Sequence, residues 1–254
     1  MEYLSIEDID VTGANAWNGI MIGVPAITAF MGAAHALQRK LSAWGCEFSG
    51  VAIGIKEYEM REYKSSKGHR CLNIPLQTET VKRKGVNVDA HIINQAYIDI
   101  KCNLIIEGNF DVIDNKSAFM LDVQKAFHTM RIAGGNIWRF KTRWMNEKDE
   151  LPYGFYLKER TQEMMSYDGD NLLEKMMHAL EDSSQRYVVL ANGFRALTEP
   201  GRVEHQRDPE VPHVFAEQIY TCGEYIFFKD IKDISDYIFK YKQNDVGYLC
   251  TQNS

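Results

Sequence analysis

Residues 19 to 41 form the longest apolar passage of the chain, and large apolar side chains recur in it at helical spacing: Ile27, Phe30, Met31, Ala34, Leu37 and Leu41. The pattern predicts a buried helix that begins near Pro25, because proline suits a first helical turn, where its missing N–H would have had no partner. At 100° per residue Thr28, Gly32, His35 and Arg39 share a second face, polar but without bulk in its middle, which lets a backbone or ligand approach closely.

Elsewhere the period shortens. Residues 3–12 read as a first strand with an exit loop over 12–15, and Phe48 to Met60 alternates through Val51, Ile53 and Ile55 as a second. Ile98, Ile100, Cys102, Leu104 and Ile106 alternate strictly, a third strand with one buried face. After a turn at 111–115, residues 117–132 predict a second amphipathic helix with Met120, Val123, Phe127 and Met130 on one side. Gly134 and Gly135 end it by supplying positive φ, and Ile137 to Trp144 follow as a fourth strand. Strand, helix, strand, strand, helix, strand is the order of a ferredoxin-like, RRM-type domain, here over residues 1–148.

Residues 62–96 connect the second and third strands where a short turn would do, and long connections inside compact domains are usually functional or unstructured. Basic residues interleaved with Leu72, Ile74, Leu76 and Val81 predict a protruding hairpin with basic flanks there. From Tyr153 onward a C-terminal α+β extension is expected over 149–254. It comprises a strand at 153–158 and a helix at 170–182 capped by Asp170 or Asn171, with Leu173, Met176, Met177 and Leu180 inward. A strand at 187–197, a polar loop at 198–213, a strand at 225–228, a helix near 231–241 and a last strand at 246–250 complete it. The boundary near 145–152 is soft, and a single shared core is also compatible with the pattern. The expected class is therefore α+β.

Composition adds little until it is divided by position. Hydrophobic residues at 45% and charged residues at 25% are ordinary globular values. Five cysteines, Cys46, Cys71, Cys102, Cys222 and Cys250, are odd in number and form no C-x-x-C pair, which argues against a disulfide framework and a structural zinc site and for a reducing cytoplasm. Pro25, His35 and Arg39 argue against a membrane span in the apolar passage, and the acidic start of the chain argues against a secretory leader. Net charge is −6, yet residues 56–84 hold eight Lys or Arg against four Glu, and residues 123–146 hold five Lys or Arg and no acid. Such asymmetry suits a protein that meets nucleic acid on one side and other proteins elsewhere. A solvated charged face is the plainer alternative.

Motifs for other chemistry are missing: there is no G-x-x-x-x-G-K-[ST], no G-x-G-x-x-G after a strand, no H-E-x-x-H and no G-x-S-x-G. His205, Asp208, Glu210 and His213 make the best metal-like cluster, in a loop of the kind that collects such residues without purpose. No cofactor is expected.

Asn15 flanked by alanines, the run Gly23-Val24-Pro25-Ala26-Ile27-Thr28-Ala29-Phe30 and then His35-Ala36-Leu37-Gln38-Arg39-Lys40 together resemble the RAMP-superfamily subunit of the type I-F CRISPR surveillance (Csy) complex that caps the 5′ handle of the guide RNA. Later blocks match in order: residues 130–137 around Gly134-Gly135-Asn136, residues 153–157, residues 192–197 and residues 215–217. The chain is short for that family, notably at 144–153 and 168–187.

The resemblance implies a non-catalytic subunit that binds the crRNA 5′ handle and pairs with the large subunit sensing the protospacer-adjacent motif. It also implies capping of the filament of backbone RAMP subunits and a place beside target DNA through the assembled complex, in the cytoplasm and away from membranes. Single-stranded RNA is held by aromatic or guanidinium planes under bases and by cations and amides on phosphates. Candidates for those roles are Asn15, Asn18, Thr28, Gly32, His35 and Arg39; Arg61, Lys64, Lys67, His69, Arg70, Lys82, Arg83 and Lys84 in or beside the 62–96 hairpin, which the resemblance makes a thumb reaching over the guide RNA; the turn Gly134, Gly135 and Asn136; Arg139; and the pair Phe194 and Arg195. Trp17 is a further stacking candidate, whereas Trp138 is expected in the core. Two alternatives stay open: a metal-independent endoribonuclease that processes precursor guide RNA with His35 or His69 and Lys67 or Arg39, and a protein adaptor without RNA contact.

Overall fold

The computed structural model describes residues 2–62, 96–202, 208, 210–244 and 247–252, and the backbone alone of 63–64, 70–72, 81–83 and 86–88. It is an α+β protein built on one large antiparallel sheet with few helices. The main strands are β1 (Glu2–Asn15), β2 (Glu47–Met60), β3 (Tyr97–Asn109), β4 (Gly135–Asn146), β5 (Phe155–Glu159), β6 (Val188–Ala196), β7 (Ala216–Phe227), β8 (Lys240–Asn244) and β9 (Gly247–Thr251). The helices are α1 (Ile27–Lys40), α2 (Lys116–His128), α3 (Thr161–Met165) and α4 (Leu172–Glu181). Across the sheet the order is Arg131–Ile132, β4, β1, β3, β2, β5, β7, β6, β9, β8.

Leu4, Ile6, Ile9 and Val11 of β1 and the alternate residues Ile98 to Ile106 of β3 bury one face of the sheet against α1 and α2. Helix α1 turns Ile27, Phe30, Met31, Ala34 and Leu37 inward, as its period predicts, and leaves Gly32, His35 and Arg39 exposed. It starts two residues after Pro25. The Asn18 amide oxygen accepts the Ala26 N–H (3.2 Å), and Ala26 is held extended at φ −54°, ψ 145°, so the helical turn opens only at Ile27.

The sheet does not stop at β2. Strand β5 pairs with it at Phe155–Ile55 and Tyr156–Gly54, and β7, β6, β9 and β8 follow. Phe239, just before β8, then exchanges two backbone bonds with Val51 of β2 (2.9 and 3.0 Å), so the far end of the sheet returns to β2. Helix α1 packs against β2, β6 and β9 and is wrapped by this curl. Leu157, Leu190, Phe239 and Cys250 accordingly share a core with Phe30 and Leu37. On the opposite face a second core gathers Tyr3, Ala52, Ile105, Met145 and Tyr156 under Phe228, Ile234 and Ile238.

Several expectations change. Helix α2 ends at His128 with Thr129 as its C-cap, and Arg131–Ile132 instead pairs with Gly135–Asn136. Ala133 (φ 49°) and Gly134 (φ 78°) form the turn of that hairpin, so Gly134 serves a strand connection and not a helix end. The expected helix near 231–241 is two single 3₁₀ turns, Phe228–Asp230 and Ile234–Tyr237, followed by β8. Ile234 and Ile238 have helical spacing, but pairing with Val51 draws the chain out. The strand expected at 225–228 is the end of the twelve-residue β7.

Helix α4 is capped by Asn171, whose side chain accepts the Glu174 N–H (3.0 Å). Only Ala179 is buried and Met176 half-buried; Leu173, Met177 and Leu180 face outward, the reverse of the expected orientation. Trp138 is 64% exposed, not core: it stands on the sheet face that the 228–238 segment leaves uncovered, with Nε1 donating to Thr12 Oγ1 (2.6 Å). Between β2 and β3, Glu62–Lys64 pairs with Arg70–Leu72 and Val81–Arg83 with Val86–Val88.

Candidate functional site

A groove of about 460 Å³ lies where the exit of β1, the first turn of α1 and the 133–134 turn meet the C-terminal strands. Asn15 builds its near wall. Its amide side chain closes a local turn by accepting the Trp17 N–H (3.0 Å) and donating to the Trp17 carbonyl (3.1 Å), while its own N–H donates to Ala133 O (2.8 Å). This last bond ties the 133–134 turn to the loop after β1.

The chain next makes a small hairpin, Trp17–Asn18 with Met21–Ile22, around Gly19. Gly19 sits at φ +66°, and a Cβ there would lie 2.1 Å from the Tyr220 hydroxyl, so any side chain would strain the backbone and push that hydroxyl away. Tyr220 clamps the hairpin to β7 by donating to Asn18 O (2.8 Å) and accepting the Ile20 N–H (2.9 Å). Asn18 is buried, its side chain bonded to Val24 O (2.8 Å) and Ala26 N (3.2 Å). Its amide therefore builds the wall and is not offered to a ligand.

Thr28 and Ala29 line the groove beside the N-terminus of α1, which has no side-chain cap. Uncapped N–H groups and the positive end of the helix dipole suit an anion. The far wall is aromatic. Phe194 on β6 lies directly opposite Tyr248 on β9 and Gln218 on β7, and all three line the groove with Trp17. Gln218 is fixed by donation to Gly193 O (2.7 Å). Tyr248 packs on Tyr241 (5.2 Å between ring centroids), and burial pushes its phenol well above the usual tyrosine range, so it stays a neutral ring with a hydroxyl. The site thus offers three rings, small polar groups and a helix N-terminus.

Of the expected site residues, the structure brings Asn15, Asn18, Thr28 and Phe194 to this groove. Gly134 is at the tip of the adjoining turn with open space beside it. Gly135 is buried, a Cβ there lying 2.7 Å from Val11 Cγ1, so it serves packing. Asn136 is exposed beyond it. His35 lines a separate cavity of about 180 Å³ with Phe48 and Tyr241. Gly32 lies exposed between the two hollows, and Arg39, eleven residues past Thr28, is about 16 Å along the helix. Arg195 is exposed on β6 beside Phe194. Arg61 is bound to Asp99 (2.8 Å) over Gly13. Lys67, His69 and Lys84, and the side chains of Lys64, Arg70, Lys82 and Arg83, fall outside the described residues, as does His205 of the metal-like loop. Among the described residues no lysine or arginine lines the groove, and no group of three His, Cys, Asp or Glu is placed to hold a metal. Gln218, Tyr220 and Tyr248 carried no local signal: only the register of β6 against β7 and β9 sets them around Phe194.

Arg139 stands elsewhere, on the uncovered sheet face, where a charged hollow of about 510 Å³ also holds Asp8, Lys56, Lys101, Trp138 and Lys141. Arg139 is 3.2 Å from Asp10 and Lys141 is 2.8 Å from Asp8, which also pairs with Lys56. Asp8 sits at a bulge in β1 with φ 52°, its N–H donating to the buried Asn103 amide oxygen (2.9 Å). Lys141 first and Lys56 second hold its carboxyl below the usual carboxylate range. A depressed carboxylate contributes stability that is present above its unfolded value of about 3.9. That stability is lost as pH falls through the folded value. Asp8→Asn keeps the tolerance for positive φ and removes the charge. It is expected to lower the urea midpoint modestly at neutral pH, with the difference from wild type shrinking below about pH 4. A difference that held constant with pH would show that the ion pairs contribute nothing.

Among the described residues no helix is long and apolar enough to cross a membrane. The chain matches the family model described as CRISPR-associated protein (Cas_Csy2) over residues 4–186 and 160–250. It is similar to the CRISPR-associated protein Csy2 of Pseudomonas aeruginosa (strain UCBPP-PA14), 28% identical over 153 residues, which make up 59% of this chain and 45% of that protein. The match thus spans less than half of that relative's length. With the family model covering most of the sequence, this chain belongs to the Csy2 family of CRISPR-associated proteins.

Proposed function

We propose that the chain is a non-catalytic subunit of a type I-F CRISPR surveillance complex that holds the 5′ handle of the guide RNA in the groove between the β1 exit, α1 and the 133–134 turn. The observation that carries this is the groove itself. Three rings and an uncapped helix N-terminus converge on one 460 Å³ hollow, a combination that suits splayed bases and a phosphate of a single strand. Family membership supports the CRISPR setting. The order β4, β1, β3, β2 with α1 and α2 on one face agrees with a ferredoxin-like RAMP core, with the 62–96 connection as its thumb. In this reading the basic residues of the 64–84 segment neutralise phosphates. In the assembled complex the subunit pairs with the large subunit that senses the protospacer-adjacent motif. There it caps the backbone filament and fixes the register from which target DNA is read, in the cytoplasm.

The test is the RNA that travels with the protein. Purified after co-expression with its guide locus, the chain is expected to carry small RNAs with one constant 5′ end, and to leave labelled precursor RNA intact in EDTA. RNAs of random 5′ sequence would remove the handle from the proposal. Cleavage abolished by His35→Ala or His69→Ala would make the protein a processing nuclease.

A further inference from the structure

Helix α4 is firmly built yet presents its large apolar residues to solvent. Asn171 and Glu174 cap its start reciprocally, Glu174 taking the Asp170 N–H (2.8 Å) and the Asn171 amide (2.9 Å). Lys175 Nζ fastens it to Met165 O (3.1 Å) and Tyr167 O (2.7 Å), and His178 bonds to Asp168 O (2.7 Å). Its inner side needs only Ala179 and Met176, which pack on Met164 and Cys222. Leu173, Met177 and Leu180 form an i, i+4, i+7 stripe on the outer side, 57%, 49% and 37% exposed. The orientation is fixed by the cap and the lysine, so the stripe is a standing feature of the surface.

Charge decides what covers it. Residues 161–186 hold six acidic side chains against two basic ones; Lys175 is engaged with backbone carbonyls and Glu163 is paired with Arg160, which leaves Asp168, Asp170, Glu174, Glu181 and Asp182 against Arg186. An acidic rim repels nucleic-acid phosphate. It also disfavours a second copy, which would bring the same rim against itself across a two-fold axis. We infer that the outer face of α4 docks a partner protein, as an apolar helix stripe seated in a groove bordered by lysine and arginine. This rests on the reading of the chain as a subunit of a multi-protein complex.

The test therefore measures protein and RNA binding side by side. Wild type, Leu173→Gln/Met177→Gln and Glu181→Lys are titrated with each other purified protein subunit of the complex in turn, and with labelled handle RNA. The two glutamines replace exposed side chains, and the melting temperature is expected to stay within about 2 °C of wild type. The double variant is expected to lose at least about tenfold in affinity for one subunit. Glu181→Lys should lose roughly threefold, more at low salt, and both should hold handle RNA as wild type does. Unchanged affinity of the double variant for every subunit overturns the inference. So does a wild-type dimer that the double variant dissolves, which gives the face to a second copy. Wild type that binds no subunit also overturns it, and handle binding retained in that case leaves the RNA reading standing.

Discussion

Phe30→Ala is expected to destabilise the protein by about 3–5 kcal/mol, the usual cost of emptying a fully buried phenylalanine site. Phe30 is wholly inaccessible on α1, and α1 is wrapped from two directions, by β2 and by β6 and β9 as the sheet returns to Val51 through Phe239. Neither side can relax into the void without breaking sheet pairing, which places the loss toward the upper end. For a chain of this size the melting temperature should fall by roughly 10 °C. Urea unfolding should show a lower midpoint with an unchanged slope. His35→Ala, on the exposed face of the same helix, should stay within about 0.5 kcal/mol of wild type. If Phe30→Ala cost under about 1 kcal/mol, α1 would not be the enclosed centre of the fold.

The second large effect concerns RNA. Phe194→Ala and Tyr248→Ala are each expected to weaken handle binding roughly five- to a hundredfold at fixed salt, since one base stacked on an aromatic ring contributes about 1–3 kcal/mol. The two residues oppose each other across β6 and β9, so they wall one stretch of groove. In a double-mutant cycle their effects should therefore fall short of adding. Tyr248→Phe keeps the ring and should bind nearly as wild type. Arg139→Ala changes a cation on the other face of the sheet, paired with Asp10, and should leave handle affinity within about twofold. Fluorescence anisotropy with a labelled handle measures the four single variants and the double one. Full affinity in both alanine variants would remove the groove from RNA binding.

The elements legible in the chain are those whose own side chains decide them. α1 and β3 have long, unbroken periods, and both stand within a few residues of where periodicity puts them. The loop at Asn15, the helix start at Thr28 and the ring at Phe194 were legible as candidate contacts, because residue type and local spacing carried the signal. Their fates differed once neighbours were fixed. Asn18 turned inward to hold Ala26, and Gly135 was needed to let β4 pass Val11.

Residue order alone therefore suffices for a set of amphipathic segments, their succession and the α+β class, since each segment buries its apolar face whatever lies opposite. Which neighbour lies opposite follows only from how the segments assemble. The bridge from Phe239 to Val51 straightened a segment with helical spacing, and the register of β6 on β9 set Tyr248 against Phe194 across some fifty residues of chain. The end of the second core left Trp138 in solvent, and the anchoring of Lys175 turned the apolar side of α4 outward. Such outcomes depend on pairings between distant strands, whose free energy belongs to the closed sheet and to no single stretch of residues.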